Sequence, residues 1–139
     1  MRFMIIVKAT KESEAGVMPE EKLIAAMGAY HEELGKAGVL LDATGLHPTS
    51  KGFRVKYTGP KRTVVDGPFT ETKELIAGYT LIKVKAKQEA IEWAKRYPNP
   101  RGEGMDSEIE VRQLFELEDF APSEAIDRMR ELDMSIKSK

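Results

Sequence analysis

A chain of 139 residues has the length of one domain with one buried core, and folding at this size removes roughly 68–70% of the unfolded surface from water. Hydrophobic residues at 41% and charged residues at 32% exclude an intrinsically disordered chain, and 22 basic against 23 acidic residues leave a net charge of −1, too little field to gather a nucleic acid. With no cysteine, disulfides, thiolate nucleophiles and zinc–thiolate sites are excluded, and the cytoplasm is the expected location.

Arg2 to Lys8 reads as a strand apolar on both faces, with Phe3, Ile5 and Val7 on one side and Met4 and Ile6 on the other, which predicts a mid-sheet position. The run is too short for a signal peptide and is followed by the charged stretch Lys11 to Glu14. No stretch approaches the ~18 apolar residues of a membrane span, so no membrane is expected as a partner. From Pro19, with Glu20 and Glu21 at the positive end, Leu23, Met27, Tyr30, Leu34 and Ala37 recur at helical spacing. Gly38 closes this helix in a left-handed backbone position, and Val39 to Leu41 begin a second strand.

From Gly52, Phe53, Val55 and Tyr57 alternate with Arg54, Lys56 and Thr58, which predicts one buried face. Gly59-Pro60 turns the chain and Lys61 to Val65 return it as a hairpin, followed by a break at Asp66-Gly67-Pro68. Ile76 to Lys85 is a further strand. Ala90, Ile91, Ala94 and Tyr97 mark a second helix that must end before Pro98, with a first turn expected to fray for want of a capping side chain and with Glu89 supplying only dipole compensation. Ile109, Val111 and Phe115 alternate in a last strand. Residues 1–120 thus form one α+β domain, and 121–139 a charged helix from Pro122 to about Met134, with Ile126, Met129 and Leu132 as a narrow stripe, and a disordered tail from Ser135. That helix docks on a partner subunit or lies loosely on the surface.

The order strand, helix, strand, hairpin, strand, helix, strand is two split β-α-β halves with an inserted hairpin, a ferredoxin-like sheet. Such a sheet carries both helices on one face. The other face needs a cover, and a second copy of the same sheet is the economical one, so a homodimer is expected.

The run Asp66-Gly67-Pro68-Phe69-Thr70-Glu71-Thr72-Lys73-Glu74 resembles the signature of the YCII-related, DGPF-motif family, with Thr70 where alanine is frequent. Glu32-Glu33-Leu34, Ala37-Gly38-Val39-Leu40-Leu41, Ala90-Ile91-Glu92-Trp93-Ala94 and Glu108-Ile109-Glu110-Val111-Arg112 agree with it. The resemblance implies a dimeric α+β barrel of ferredoxin-like subunits and chemistry that is unassigned in most members. Some members of the wider superfamily are thought to use a His-Asp pair with the histidine early in the first helix. Here Met27 stands near that position and His31 follows one turn later, so that dyad is not carried over.

His31 and His47 are the only histidines and the only side chains expected to titrate near neutrality unperturbed, so a general base is sought there. His31 lies at the edge of the first helix's apolar stripe, where it could reach a cleft or simply sit half in water. His47, held extended by Pro48, ends the second strand and could pair with Asp66 across a site, or be an unpartnered loop histidine. Asp66-Gly67-Pro68 is explained as a turn, whereas Phe69 among polar residues suggests the anchor of a lid over a pocket. Arg54, Lys56 and Arg62 face a set of acids, Glu108, Glu110 and Glu116, in the charge pattern. Either these pair across a dimer, or Arg54 or Arg112 binds a small carboxylate ligand. No phosphate loop, nucleotide fingerprint or histidine cluster is present, so neither metal nor cofactor is implied. The leading expectation is a dimeric small-molecule-binding protein, a cofactor-independent lyase or isomerase using proton transfer by His47 or His31 with Asp66 orienting. The alternatives are a non-catalytic interaction module, since some family members occur alongside sigma-factor-type regulators, and a structural dimer whose terminal helix recruits a partner.

Overall fold

In the computed structural model, which describes residues 1–71 and 73–137, the doubly apolar first strand lies inside a sheet as its pattern requires. Strand β1 (Arg2–Lys8) pairs antiparallel with β5 (Ile76–Lys83) on one side and with β6 (Ile109–Gln113) on the other. Strand β2 (Leu40–Gly45) pairs with the free edge of β5, giving an antiparallel four-stranded sheet in the order β2-β5-β1-β6. Helix α2 (Glu21–Lys36) joins β1 to β2, and α3 (Lys87–Lys95) joins β5 to β6. Each crossover therefore passes over a strand that belongs to the other.

Phe3, Ile5, Ile82 and Val84 from the sheet, Tyr30 and Leu34 from α2, and Ala90 with Trp93 from α3 form one core cluster, which places both helices on the same sheet face. By the alternation of β1 and β5, Met4, Ile6, Tyr79 and Leu81 point to the opposite face, where they are half-buried. The architecture is α+β.

Local chemistry explains the element ends. Gly38 takes φ +74°, and the bonds Val39 N–H to Leu34 O and Gly38 N–H to Gly35 O, each 3.1 Å, form the left-handed helix stop that its position predicted. A short helix α1 (Lys11–Glu14) occupies the charged stretch, closed by a capping box between Thr10 and Ser13. The start of α3 lacks a side-chain cap on Ala86, as expected. Glu89 does more than oppose the dipole, however: its carboxylate accepts the Lys85 N–H at 3.0 Å and so restrains the first turn. Helix α4 (Glu124–Lys137) starts two residues later than predicted, where Ser123 caps it through the Ile126 N–H at 3.1 Å, and it runs further. Ser135 to Lys137 are helical rather than disordered, and Ser138 and Lys139 lie outside the described residues.

The hairpin departs most from expectation. Strands β3 (Phe53–Thr58) and β4 (Lys61–Asp66) pair in the predicted register around Gly59, at φ +58°, but as a separate two-stranded sheet. Phe53, Val55, Tyr57 and Val64 share one face and are 38 to 66% exposed, so the face predicted to be buried is open in the single chain. The hairpin is not part of the main sheet, and the alternation marks the apolar face without supplying its cover. The whole chain exposes 10540 Å², whereas a compact monomer of its mass exposes about 7300 Å² by the usual size scaling.

Candidate functional site

Two cavities flank the sheet, and each holds one of the two histidines. The larger, of about 1000 Å³, opens between α2 and the ends of β1, β2 and β5, with the loop from Pro100 to Glu108 along its rim. His31 enters it from α2. The same helical phase that buries Tyr30 and Leu34 in the core leaves His31 half-buried at the margin. Its Nδ1 lies 2.7 Å from the Met27 carbonyl oxygen. A carbonyl can only accept, so Nδ1 carries a proton and donates. Nε2 lies 2.8 Å from Oγ1 of Thr80.

Thr80 sits in the middle of β5 opposite Ile5 and Ala43, faces the helices, and is 1% exposed. A hydroxyl so placed needs a partner, and it has one in His31. Burial pushes the Tyr97 phenol above its ordinary value, so it stays a neutral hydroxyl across the physiological range. The Tyr97 ring meets those of Tyr30 and His31 edge to face, at 5.1 and 6.3 Å between centroids. Tyr30 in turn donates to the Trp93 carbonyl at 2.7 Å, and burial raises its pKa to about 12. The packing that seats Tyr97 thus also fixes the helix that carries His31. Charged groups at the cavity are Lys8, Lys73 and Arg101 against Asp106 and Glu108; Lys8 pairs with Glu108 and Glu110 at 3.6 and 3.7 Å, and Arg101 donates to the Asp106 carbonyl.

The smaller cavity, of about 460 Å³, lies at the base of the hairpin and brings together His47, Arg54 and Phe69, three of the residues singled out from the sequence. The Arg54 guanidinium lies 3.7 Å over the Phe69 ring and reaches Glu71 at 3.5 Å. His47 is exposed. The loop is tied down by Thr49: its Oγ1 accepts the Phe69 N–H at 2.9 Å and donates to Glu14 Oε1 at 2.5 Å, while its N–H reaches Glu14 Oε2 at 3.0 Å. Gly67 is required by close approach, since a Cβ there would stand 1.8 Å from the Thr49 carbonyl oxygen.

Asp66 lines neither cavity. It ends β4 opposite Phe53, and among the described residues no hydrogen bond joins it to His47. Arg112 projects from β6 with the parity of Met4, on the face away from the helices, 3.9 Å from Glu110 and outside both cavities. Within the single chain the segregated charges find nearer partners: Glu108 and Glu110 take Lys8, Glu116 takes Arg2, and Arg62 stacks on Tyr57. Among the described residues, no group of three or more potential ligands could hold a metal, and no helix is long and apolar enough to cross a membrane. Sequence reasoning missed Thr80, Tyr97, Thr49 and Glu14. For Thr80 a signal existed, a hydroxyl residue in the helix-facing phase of β5 two positions before the buried Ile82.

The family model for the YCII-related domain matches residues 1–117. The chain belongs to the YCII-related family. The matched segment contains both cavities and ends before α4 begins, so α4 is an addition to the YCII-related core of this chain. An uncharacterized protein of Rhizobium meliloti is similar at 27% identity over 96 residues, covering 69% of this chain and 77% of that protein.

Proposed function

We propose that this chain is a small-molecule-binding protein whose ligand site is the α2–β5 cavity, and that proton transfer centred on His31 makes it a cofactor-independent lyase or isomerase for a small carboxylate. The observation that carries this is the His31–Thr80 hydrogen bond at 2.8 Å, a titratable ring held at both nitrogens in a cavity roomy enough for a metabolite. Because both nitrogens are occupied, His31 acts on a ligand either by turning Nε2 away from Thr80 or through the Thr80 hydroxyl. A thermal-shift and NMR screen against small carboxylates and enolisable acids tests it. Ring signals of His31 and Tyr97 should move while those of His47 stay; shifts at His47 and Phe69 alone would transfer the site to the smaller cavity, and no shift at either would end the reading. Work in a reducing, cytoplasmic setting suits a chain without cysteine.

The same proposal takes the sheet as ferredoxin-like and pairs two copies face to face as a dimeric α+β barrel. In its support, the chain exposes about 3000 Å² more than a compact monomer should, and the excess includes the apolar hairpin face. Light scattering should give about 31 kDa, twice the 15.6 kDa chain; a monomer near 16 kDa overturns the barrel. A second function, a non-catalytic interaction module, is favoured by α4 alone, where Met129, Leu132, Met134 and Ile136 are 53 to 66% exposed. Truncation after Asp119 should then remove a bound partner and leave the rest folded, and an unchanged set of partners would end that function.

A further inference from the structure

The α2–β5 cavity is wide because the sheet beneath α2 is built from short residues. On α2, Leu23, Met27 and His31 recur every fourth residue, so their side chains form one row about 12 Å long that lines the cavity. On the sheet, Gly78 shares the helix-facing side of β5 with Thr80 and Ile82; its neighbours in register are Gly45 on β2 and Val7 on β1, and Ala43 is the β2 neighbour of Thr80. Gly45 and Gly78 carry no side chain, and Ala43 carries one methyl group. A Cβ on Gly78 would crowd β2, at 3.0 Å from the Thr44 carbonyl oxygen and 3.3 Å from the Gly45 Cα, so this position favours glycine. The span that longer side chains would fill is left open, at about 1000 Å³.

Resting on the ligand cavity proposed above, we infer that its ligand is an amphipathic carboxylate, with the anion at the mouth and an apolar body laid inward between α2 and the short residues of the sheet until it reaches His31. Size is the first ground. The volume stands at the upper end of the ~300–1,000 Å³ that enclose a drug-sized molecule. Acetate or pyruvate would leave most of it to water, against walls of Val7, Leu23, Ile24 and Met27 that offer no hydrogen bonds. Charge is the second ground. Lys8, Lys73 and Arg101 line the cavity against Asp106 and Glu108, a surplus of one positive charge. Lys8 is engaged with Glu108 and Glu110, whereas among the described residues Lys73 and Arg101 form no ion pair, Arg101 giving one N–H to the Asp106 carbonyl at 3.1 Å. Both stand on loops, Lys73 ahead of β5 and Arg101 on the rim, so a carboxylate held there keeps its contact with water and loses little hydration. His31 and Thr80 hydrogen-bond at the inner end, which puts the reacting carbon at the far end of the apolar body and makes the carboxylate an anchor. Ala43, Gly45 and Gly78 then decide which bodies fit.

The full chain is titrated by calorimetry with acetate, butyrate, hexanoate and octanoate, and with octylamine, which has the same chain as octanoate and the opposite charge. Affinity should rise roughly fourfold for each methylene buried. Octanoate should bind more tightly than octylamine and should move the methyl signal of Met27. Ala43→Leu extends a side chain into the cavity and should invert the series, so that butyrate binds more tightly than octanoate; Leu23→Trp narrows the same span from α2 and should do the same, which keeps the test open if the first variant fails to fold. Lys73→Gln combined with Arg101→Gln should weaken every acid by a common factor and erase the preference over octylamine. Equal affinity along the series, with the His31 ring still moving, overturns the apolar body and leaves the carboxylate site in place. Octylamine bound as tightly as octanoate, a wild-type slope in the filled variants, or shifts confined to the exposed hairpin face would each overturn it as well. No binding by any acid overturns this ligand together with the site it rests on.

Discussion

Gly67→Ala offers a sharp test of how the loop after β4 is held. The added Cβ would meet backbone, 1.8 Å from the Thr49 carbonyl oxygen and 2.6 Å from its carbon, so no side-chain rotation relieves it. The loop must retreat by more than about 1 Å to regain ordinary van der Waals separation. That retreat breaks the Gly67 N–H bond to the Gly52 carbonyl, 3.0 Å, and the Phe69 N–H bond to Thr49 Oγ1, 2.9 Å, and it unstacks Arg54 from Phe69. Two hydrogen bonds at ~0.5–1.5 kcal/mol each and an exposed cation–π contact at ~0.5–1 kcal/mol give a loss of about 1.5–4 kcal/mol. Read by amide exchange, that is roughly a 12- to 700-fold faster opening at Gly67 and Phe69. If the loop melts with the domain, Tm should also fall, by ~2–4 °C for each kcal/mol. A variant with wild-type protection at Phe69 and an unchanged Tm would refute the close approach itself.

Three further outcomes follow from the same physical terms. Leu34→Ala empties a fully buried position between α2 and the sheet and should cost about 2–5 kcal/mol in urea unfolding with the m-value unchanged. Tyr30→Phe removes one of two donors to the Trp93 carbonyl, which keeps the Arg96 N–H at 3.1 Å, and should cost ~0.5–1.5 kcal/mol at neutral pH. Because burial raises the Tyr30 pKa from 10.0 to about 12, the wild type binds this proton more tightly folded than unfolded, so its stability should decline as pH rises from 10 toward 12; the Phe variant should lack that part of the decline. The Arg2 guanidinium grips the Glu116 carboxylate at 2.8 and 3.1 Å and holds its pKa below the ordinary 4.5. A depressed carboxyl stabilises the fold above its unfolded value and loses that contribution as pH falls, so Glu116→Gln should be slightly less stable than wild type at pH 7, by ~0–1 kcal/mol for so exposed a pair, and equal to it well below pH 4.5.

What the sequence made legible was what neighbouring residues decide. The central position of β1 follows from seven residues with two apolar faces, the stop at Gly38 from one glycine, and the hairpin from Gly59 between two alternating runs. The burial of the hairpin was not legible, because alternation ranks two faces by polarity and says nothing of what lies over the better one. Neither was the proposed site. Its pairing joins residues 31 and 80, and finding it requires the phase of α2, the parity of β5 and the crossover that lays one on the other. His47 with Asp66 looked as good on paper, since both end strands near one loop; the β4 register instead sets Asp66 opposite Phe53, outside the cavity that holds His47.

The Asp-Gly-Pro-Phe run shows why a distinctive motif need not mark the chemistry. Gly67 is dictated by the backbone of Thr49, Phe69 gives its N–H to the Thr49 hydroxyl and its ring to Arg54, and Thr49 is itself held by Glu14 of α1. Gly67 and Phe69 are thus explained by fastening the hairpin base to the first helix, an architectural task with strict geometry. The His31–Thr80 pair instead joins two side chains 49 positions apart, and it leaves no contiguous trace. A screen guided by the motif would therefore probe the smaller cavity, whereas the buried hydroxyl of Thr80 directs it to the larger one.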